Sequence, residues 1–214
     1  MFIHIVGRFG TYTMALMLSL SLWIDTARAD FYIAPSVGIG LASSQIDTRA
    51  FGGAFQISDR FHHINADIGL GIGHRSQIWS QTVDFELEAR VSATGHHQIG
   101  TRHHVIGRQQ ISLAAYSTVL RRKEFHAQLG LGAGVRRLNL SVVEGANRRS
   151  DIDREHFGMI ALRGIWNSRP GVNRFAELRY SVHPAPRRGS TGAAIEHQMD
   201  QLGLYFGVQF DLPN

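Results

Sequence analysis

Apolar and polar residues alternate along the last segment of the chain. From residue 202 to residue 212 the even positions are all apolar, and the odd positions are small, aromatic or polar. The apolar positions are Leu202, Leu204, Phe206, Val208, Phe210 and Leu212. Side chains of a β-strand point alternately to opposite faces, so this period of two predicts a strand with one wholly apolar face. A strand that is apolar on one face and polar on the other is typical of a transmembrane β-barrel.

The same alternation recurs along most of the chain. It predicts strands near residues 31–41, 50–57, 64–73, 111–119, 125–136, 157–166 and 176–182. Residues 79–93 also alternate, but in the opposite phase, which requires a bulge or a turn near residues 74–77. If residues 79–93 are an extension or a hairpin within a long loop, the barrel has eight strands. We predict eight, and ten is the alternative.

The connections between the predicted strands alternate in length. Short connections are expected at 58–63, 121–124 and 167–173, and long polar ones at 44–49, 75–108, 141–156 and 184–199. Outer-membrane barrels have short periplasmic turns and long external loops. The pattern therefore predicts that both ends of the barrel domain face the periplasm.

Glycine is concentrated on the face opposite the apolar one. The glycines in question are Gly38, Gly40, Gly69, Gly71, Gly73, Gly130, Gly132, Gly134, Gly203 and Gly207. A soluble lipocalin-type barrel has the same period of two, with its apolar face inward. On a water-facing surface these glycines would weaken the strands without compensation. Inside a narrow barrel only small side chains fit, so we favour an all-β, antiparallel, up-and-down transmembrane barrel of eight strands.

The N-terminal segment has the composition of an export signal. Residues 14–24 form an apolar run too short to cross a bilayer as a helix, which needs about 20 residues. Ala27-Arg28-Ala29 follows with the spacing of a cleavage site. We therefore expect residues 1–29 to be a signal peptide, cleaved after Ala29, and residues 30–214 to form one outer-membrane barrel domain. The chain has no cysteine, which excludes disulfide and thiol chemistry.

Four segments resemble the small outer-membrane β-barrel family of opacity-protein and OmpA/OmpX type. They are Phe61-His-His-Ile-Asn-Ala-Asp-Ile-Gly-Leu-Gly, Ser112-Leu-Ala-Ala-Tyr116, Gln128-Leu-Gly-Leu-Gly-Ala-Gly134 and Glu177-Leu-Arg-Tyr180. The segment 207–212 resembles the C-terminal sorting signal of such barrels, with Gly207, Phe210 and Leu212 at the characteristic positions. The resemblance implies a bacterial outer-membrane location and recognition by the barrel-assembly machinery during insertion.

Charged side chains occupy several positions on the predicted inner face. They are Asp67, Arg136, Glu177, Arg179 and Asp211, with Gln209 beside them. These charges could form an ion path, but buried charges must be paired, and we predict a salt-bridged plug instead. An eight-stranded barrel is filled by its own side chains, which argues against passive porin activity.

Histidine pairs and a cluster of acids suggest metal binding, but neither forms a complete site. The chain contains His62-His63, His96-His97 and His103-His104, without a carboxylate or thiol at a recognised ligand spacing. Asp151, Asp153 and Glu155 lack the glycine and the spacing of a known calcium loop. We therefore expect no metal site and no cofactor.

Arginines are enriched in the predicted external loops. They include Arg102, Arg108, Arg148, Arg149, Arg154, Arg187 and Arg188. Arginine recognises phosphate with two parallel hydrogen bonds, so the proposed partner is lipopolysaccharide, whose lipid A is phosphorylated. Because the basic residues are interleaved with acids in an exported chain, we expect no nucleic-acid binding. We also expect a monomer in contact with outer-membrane lipid.

These features predict a non-enzymatic surface protein that supports the envelope and presents its loops to lipopolysaccharide or host ligands. The alternative is a lipid A-modifying enzyme. Ser181, His183 and Glu196 resemble the Ser-His-Glu set of outer-membrane lipid A deacylases, but the order here is Ser-x-His rather than His-x-Ser. The strand phase also directs Ser181 and His183 into the lumen, away from lipid.

Overall fold

Eight antiparallel strands close into a barrel within residues 30–49, 56–78, 80–183 and 195–213, the residues that the computed structural model describes. Each strand pairs with the next along the chain, and β8 pairs with β1. The strands are β1 (Asp30–Arg49), β2 (Gln56–Ile78), β3 (Gln81–Ile99), β4 (Arg102–Arg121), β5 (Phe125–Glu144), β6 (Asn147–Arg169), β7 (Val172–Val182) and β8 (Ile195–Asp211). The predicted fold class and strand number are confirmed. No helix in this described part is long and apolar enough to cross a membrane.

An exposed apolar band surrounds the half of the barrel that contains the start of β1 and the end of β8. Val37 and Ile39 of β1 lie outward on this band, as do Ile68 of β2 and Leu131 of β5, all more than half exposed. The alternate positions point inward and are mainly polar, aromatic or glycine. This arrangement excludes the lipocalin-type alternative, in which the apolar face would be inside.

The strands continue beyond the apolar band, and there the polarity of the two faces is reversed. On β5 the outward residues change from Val135 to Arg137, while the inward residues change from Gly134 and Arg136 to Leu138. The inward apolar side chains form one cluster: Ala42, Ile46, Phe61, Ile106, Leu138, Leu140, Val142 and Met199. At about 3.3 Å per residue, the part of β5 from Arg136 to Glu144 extends roughly 30 Å along the strand. We call this part of the barrel the distal extension, and the opposite end the terminal end.

The residue ranges of two strands, β2 and β3, differ from the prediction. Residues 79–93 do not form a loop hairpin, because residues 81–93 belong to β3 and residues 83–92 pair with both β2 and β4. Residues 58–63 are not a tight connection, since they continue β2 in register with β1. Residues 50–55 of the predicted second strand lie outside the described residues. The change of phase comes from the turn between Ile78 and Gln81, just after the predicted position.

Most of the predicted long loops are parts of strands. Residues 75–108 comprise the end of β2, all of β3 and the start of β4, and residues 141–156 comprise the tip of the β5–β6 hairpin. Residues 44–49 complete β1, whereas residues 184–194 lie outside the described residues. At the terminal end, residues 122–124 and 170–171 form the short turns that were expected. Only the distal parts of these segments build the distal extension, since residues 75–92 lie at the terminal end and in the apolar band.

Candidate functional site

The centre of the lumen is filled by an arginine held between two glutamates. The guanidinium of Arg163 on β6 donates to both carboxylate oxygens of Glu86 on β3, each at 2.8 Å. Its Nε donates to Oε2 of Glu177 on β7 at 2.7 Å. All three side chains are buried. A two-pronged guanidinium–carboxylate pair whose Nε–H is also bonded to a second carboxylate satisfies the pairing that buried charges require.

A second arginine extends this chain of charges. Arg179 donates through Nε to Oε1 of Glu177 at 2.6 Å and through Nη1 to Oε2 of Glu88 at 2.5 Å. Glu88 in turn accepts a hydrogen bond from Arg90 on the same strand. Alternating acids and bases thus cross the lumen from β3 to β7 and leave no carboxylate of this set without a cation.

On the side of the distal extension, the network continues into a second group of polar residues around Asp67. Asp67 accepts from Arg108 at 2.6 Å, from the hydroxyl of Ser92 at 2.5 Å and from the hydroxyl of Tyr205 at 3.0 Å. The guanidinium of Arg90 lies 3.6 Å from the centre of the Tyr205 ring, which connects this group to the central one.

The lumen aromatic rings lie directly against glycines on neighbouring strands. Tyr116 faces Gly130 across β4 and β5, and Tyr32 faces Gly73 across β1 and β2. A Cβ added at Gly130 would lie 2.5 Å from the Tyr116 ring, and one at Gly73 would lie 2.0 Å from the Tyr32 ring. The same arrangement joins Tyr205 to Gly38, Phe157 to Gly134 and Phe175 to Gly207. Glycine therefore lets the rings lie flat on the barrel wall beside the charges.

Four of the five charges assigned to the lumen from the sequence point inward and are buried. They are Asp67, Arg136, Glu177 and Arg179. Gln209 is also buried, whereas Asp211 lies at the terminal end, 3.7 Å from Arg75, and is partly exposed. Arg136 lies apart from the central network, over the Phe157 ring at 4.7 Å.

The sequence analysis missed five of the eight charged residues of the network. The residues it missed are Glu86, Glu88, Arg90, Arg108 and Arg163. The three on β3 fall in the segment that was interpreted as a loop hairpin, and Arg108 was assigned to an external loop. Arg163 lies in a segment apolar on both faces. The alternation of Asp84, Glu86, Glu88 and Arg90 with Phe85, Leu87 and Ala89 was the available signal.

A histidine and aromatic cluster lies inside the distal extension. The His97 ring stacks on Phe61 with ring centres 4.3 Å apart, and the His104 ring lies 5.4 Å from Phe61. Nε2 of His104 lies 3.1 Å from Oδ2 of Asp59. Burial lowers the pKa of His104 below its ordinary value despite the opposing charge of Asp59, so this imidazole is neutral at pH 7. The described residues contain no group of three or more side chains suited to hold a metal ion.

The arginines predicted to contact lipopolysaccharide occupy different environments. Arg108 is buried in the lumen against Asp67, and Arg102 turns inward to Oδ2 of Asp59 at 2.7 Å. Arg148 is exposed at the tip of the β5–β6 hairpin. The side chains of Arg149, Arg187 and Arg188 lie outside the described residues.

A pair of arginines lies on the outer wall where the apolar band ends. Arg137 on β5 and Arg154 on β6 face each other directly across the two strands, and both are exposed. The outward residue that precedes Arg137 by two positions is Val135, which belongs to the apolar band. Among the described residues no carboxylate forms a salt bridge with either arginine. Of the two, only Arg154 was among the loop arginines singled out from the sequence.

The residues assigned to the sorting signal and to the alternative catalytic set are also placed by the structure. Phe210 and Leu212 are exposed on the apolar outer face, and Gly207 is covered by the Phe175 ring. Ser181 is buried on the lumen side, and Nε2 of His183 lies 3.9 Å from Oε2 of Glu155. The side chain of Glu196 lies outside the described residues.

Comparison with known proteins supports the fold through structure alone. No protein-family model and no curated protein match the chain. The structure is similar to a major outer membrane protein from Thermus thermophilus, with a TM-score of 0.52 and 7% identity over 87% of this chain and 100% of that chain. Neisserial surface protein A has a TM-score of 0.45 and 13% identity over 87% and 100% of the two chains. The outer membrane protease OmpT from Escherichia coli has a TM-score of 0.48 and 7% identity over 88% and 99%.

The chain therefore has the fold of the bacterial outer-membrane β-barrels, and the expected resemblance is confirmed at the level of fold. In this class the apolar band faces lipid, short turns face the periplasm, and long hairpins extend outside the cell. This rule predicts that the terminal end faces the periplasm and that the distal extension faces outward.

Proposed function

We propose that the protein is a non-enzymatic outer-membrane barrel that supports the envelope by binding the phosphates of lipopolysaccharide. The observation that carries this proposal is the exposed pair formed by Arg137 and Arg154 at the outer edge of the apolar band. Lipid A phosphates lie at the boundary between the acyl chains and water, so they meet the barrel at the height of this pair.

The placement of the pair suits a bound anion. Like charges directly opposite each other on neighbouring strands destabilise a sheet by up to about 1 kcal/mol. A phosphate between Arg137 and Arg154 removes this repulsion, and each guanidinium can donate two hydrogen bonds to it. Arg148 lies near the hairpin tip, at the height of the saccharides rather than of lipid A.

The filled lumen supports a role without transport or catalysis. The central charges are paired with one another, and an apolar cluster occupies the lumen of the distal extension. In an eight-stranded barrel such side chains leave no continuous aqueous path. Ser181 and His183, the candidates for an enzyme, face the lumen and the distal extension rather than the lipid.

Binding of lipid A by the purified protein tests the proposal. Replacing both arginines, Arg137→Gln with Arg154→Gln, should weaken binding of phosphorylated lipid A by about tenfold, since two guanidinium–phosphate contacts are lost. Binding of dephosphorylated lipid A should not change. The control is Arg60→Gln with Arg174→Gln, which removes two exposed arginines elsewhere on the outer wall. Equal affinity of the two double variants for phosphorylated lipid A would rule out the proposed contact.

A separate experiment tests the enzyme alternative. Mass spectrometry of lipid A from deletion and overexpression strains reports the number of acyl chains. We expect an unchanged profile, together with increased detergent sensitivity in the deletion strain. A change in acyl number that disappears in Ser181→Ala or His183→Ala would establish the deacylase-like activity instead.

We further propose export with cleavage after Ala29 and insertion as a monomer by the barrel-assembly machinery, which reads Phe210 and Leu212. N-terminal sequencing of the protein extracted from outer membranes checks the first point, with Asp30 as the expected first residue. Light scattering of the detergent-solubilised protein checks the second.

A further inference from the structure

A blind cavity opens at the terminal end of the barrel. Its volume is about 680 Å³, within the range of small-molecule sites. The turns β4–β5 and β6–β7 lie side by side on its rim, where the backbone N–H of Asn167 donates to the carbonyl of Glu124 at 3.1 Å. Gln128 and Asn173, both buried, lie deeper within it. The charge network closes the lumen beyond them. The cavity therefore opens toward the periplasm and is closed at its inner end, and we call it the vestibule.

The vestibule is strongly basic. Its described lining includes Arg75, Arg121, Arg122, Lys123, Arg169 and a single carboxylate, Asp211. Arg121, Arg122, Lys123 and Arg169 are exposed to the solvent of the cavity and the rim. The hydroxyl of Thr82 accepts a hydrogen bond from Arg121 at 2.8 Å, which holds this guanidinium at the mouth.

Arg75 places a guanidinium group at the side of the vestibule. Its Nε donates to Asp84 at 3.2 Å, and its Nη1 lies 3.7 Å from Asp211. Its Nη2 is buried without a hydrogen-bond partner among the described residues. Because this nitrogen is covered, Arg75 contributes its positive charge to the side of the cavity rather than an open hydrogen-bond donor.

We propose that this vestibule binds a phosphate-bearing anion from the periplasmic side. A cleft lined by charges of one sign within low-dielectric walls concentrates the opposite ion. Arginine forks match the oxygens of phosphate, and guanidinium groups on two adjacent turns can bind one phosphoryl group together. The ligand is either the headgroup of an inner-leaflet phospholipid, which lies beside the rim, or a soluble phosphate ester. This site is distinct from the Arg137–Arg154 pair and does not depend on it.

Titration with inorganic pyrophosphate tests the site. The parent protein carries Arg137→Gln and Arg154→Gln, so that the external pair does not contribute, and is folded in a bilayer of phosphatidylcholine. Adding Arg121→Gln and Arg169→Gln should weaken pyrophosphate binding by about tenfold or more, because one guanidinium group of each turn is removed. Adding Arg60→Gln and Arg174→Gln instead should leave the affinity unchanged, since these exposed arginines do not line the vestibule.

A gain-of-affinity variant separates a lost site from a damaged fold. Asp211→Asn removes the carboxylate from the described lining and frees Nη1 of Arg75. Pyrophosphate should bind this variant several-fold more tightly than the parent. Unchanged or weaker binding by Asp211→Asn, or an equal loss in both arginine double variants, would overturn the proposal.

Native mass spectrometry distinguishes the two sources of phosphate. If the site takes a lipid headgroup, phosphatidic acid should remain bound to the parent and be lost with Arg121→Gln and Arg169→Gln, while phosphatidylcholine binds neither protein. If the site takes a soluble ester, pyrophosphate binding persists and no lipid is retained. Either result supports a phosphate site, and absence of both contradicts it.

Discussion

At the scale of single residues, glycines in the barrel wall make room for the aromatic side chains inside the lumen. Each lumen tyrosine lies opposite a glycine of the adjacent strand, and its hydroxyl reaches a carboxylate. Tyr116 donates to Glu177 and Tyr32 donates to Glu86, each at 3.0 Å. Glycine alone weakens a strand, but an aromatic ring that covers it restores the contact. The inward glycines are therefore needed to position the hydroxyl groups that complete the charge network.

Alanine at Gly130 should disturb this arrangement. The added methyl group would lie 2.5 Å from the Tyr116 ring, and Tyr116 cannot move without leaving Glu177. We expect a loss of about 1–3 kcal/mol in the free energy of unfolding, as for other overpacked sites. Urea unfolding in detergent micelles, followed by tryptophan fluorescence, measures it.

Gly158→Ala is the matched control, because a Cβ at Gly158 meets nothing within 4 Å. This variant should be as stable as the unmodified protein or slightly more stable, since alanine restricts the unfolded chain. Equal destabilisation by the two substitutions would show that the ring contact is not the cause.

Removing the charge of Glu177 should be more costly. Glu177 accepts from both Arg163 and Arg179, so Glu177→Gln leaves two buried cations underpaired. Breaking a buried ion pair costs about 3–5 kcal/mol, which should appear as a lower urea midpoint for unfolding. Glu124→Gln removes an exposed carboxylate from the β4–β5 turn and should change stability by less than about 0.5 kcal/mol. A Glu177→Gln variant as stable as Glu124→Gln would refute the structural role of the network.

At the scale of elements, each long strand passes through two different environments. In the apolar band the outer face meets lipid and the inner face meets charges, whereas in the distal extension the outer face meets water and the inner face forms an apolar core. A transmembrane strand needs about 9–11 residues, and β5 has 20. The residues after Val135 therefore belong to a water-surrounded barrel that continues the membrane barrel without interruption.

Leu140→Ala should destabilise this extension selectively. Leu140 is buried in the distal apolar cluster, and truncation of such a leucine costs about 2–5 kcal/mol. We expect faster proteolysis within residues 141–156, while the membrane barrel keeps its resistance to protease. Leu131→Ala is the control, because Leu131 is 58% exposed on the lipid face and its truncation leaves no cavity inside the protein. Proteolysis at equal rates in the two variants would contradict a separate distal core.

At the scale of the whole molecule, closure of the barrel depends on β8. This strand pairs with β7 on one side and with β1 on the other, and its outer face includes Phe206 and Phe210. Because closure removes the last open strand edges, insertion and folding depend on correct docking of this strand.

Replacing Phe210 and Leu212 with aspartate should prevent assembly. Each charge on the lipid face costs up to a few kcal/mol, depending on its depth, and the residues proposed to be read during insertion are lost. We expect little folded protein in outer membranes, detected as loss of the heat-modifiable band on gels. Phe210→Leu with Leu212→Ile retains the apolar face and should assemble normally. Normal surface levels of the aspartate variant would be incompatible with the proposed role.

The sequence by itself determined the class of fold, because the period of two, the glycine-rich face and the apolar face are local properties of each strand. It also determined which way Asp67, Glu177 and Arg179 point. It assigned residues 79–93 incorrectly, because segments 50–57 and 64–73 were counted as two strands, whereas residues 56–78 form the single strand β2.

Only the tertiary structure decided where those charges find their counterions. Glu86 on β3 is stable inside the barrel because Arg163 of β6, 77 residues later in the chain, reaches it across the lumen. The distal core and the basic vestibule likewise combine residues from many strands. Strand register and closure of the ring bring these residues together. No local sequence pattern shows which charges will meet, because the energy of an ion pair depends on distances that only the closed barrel sets.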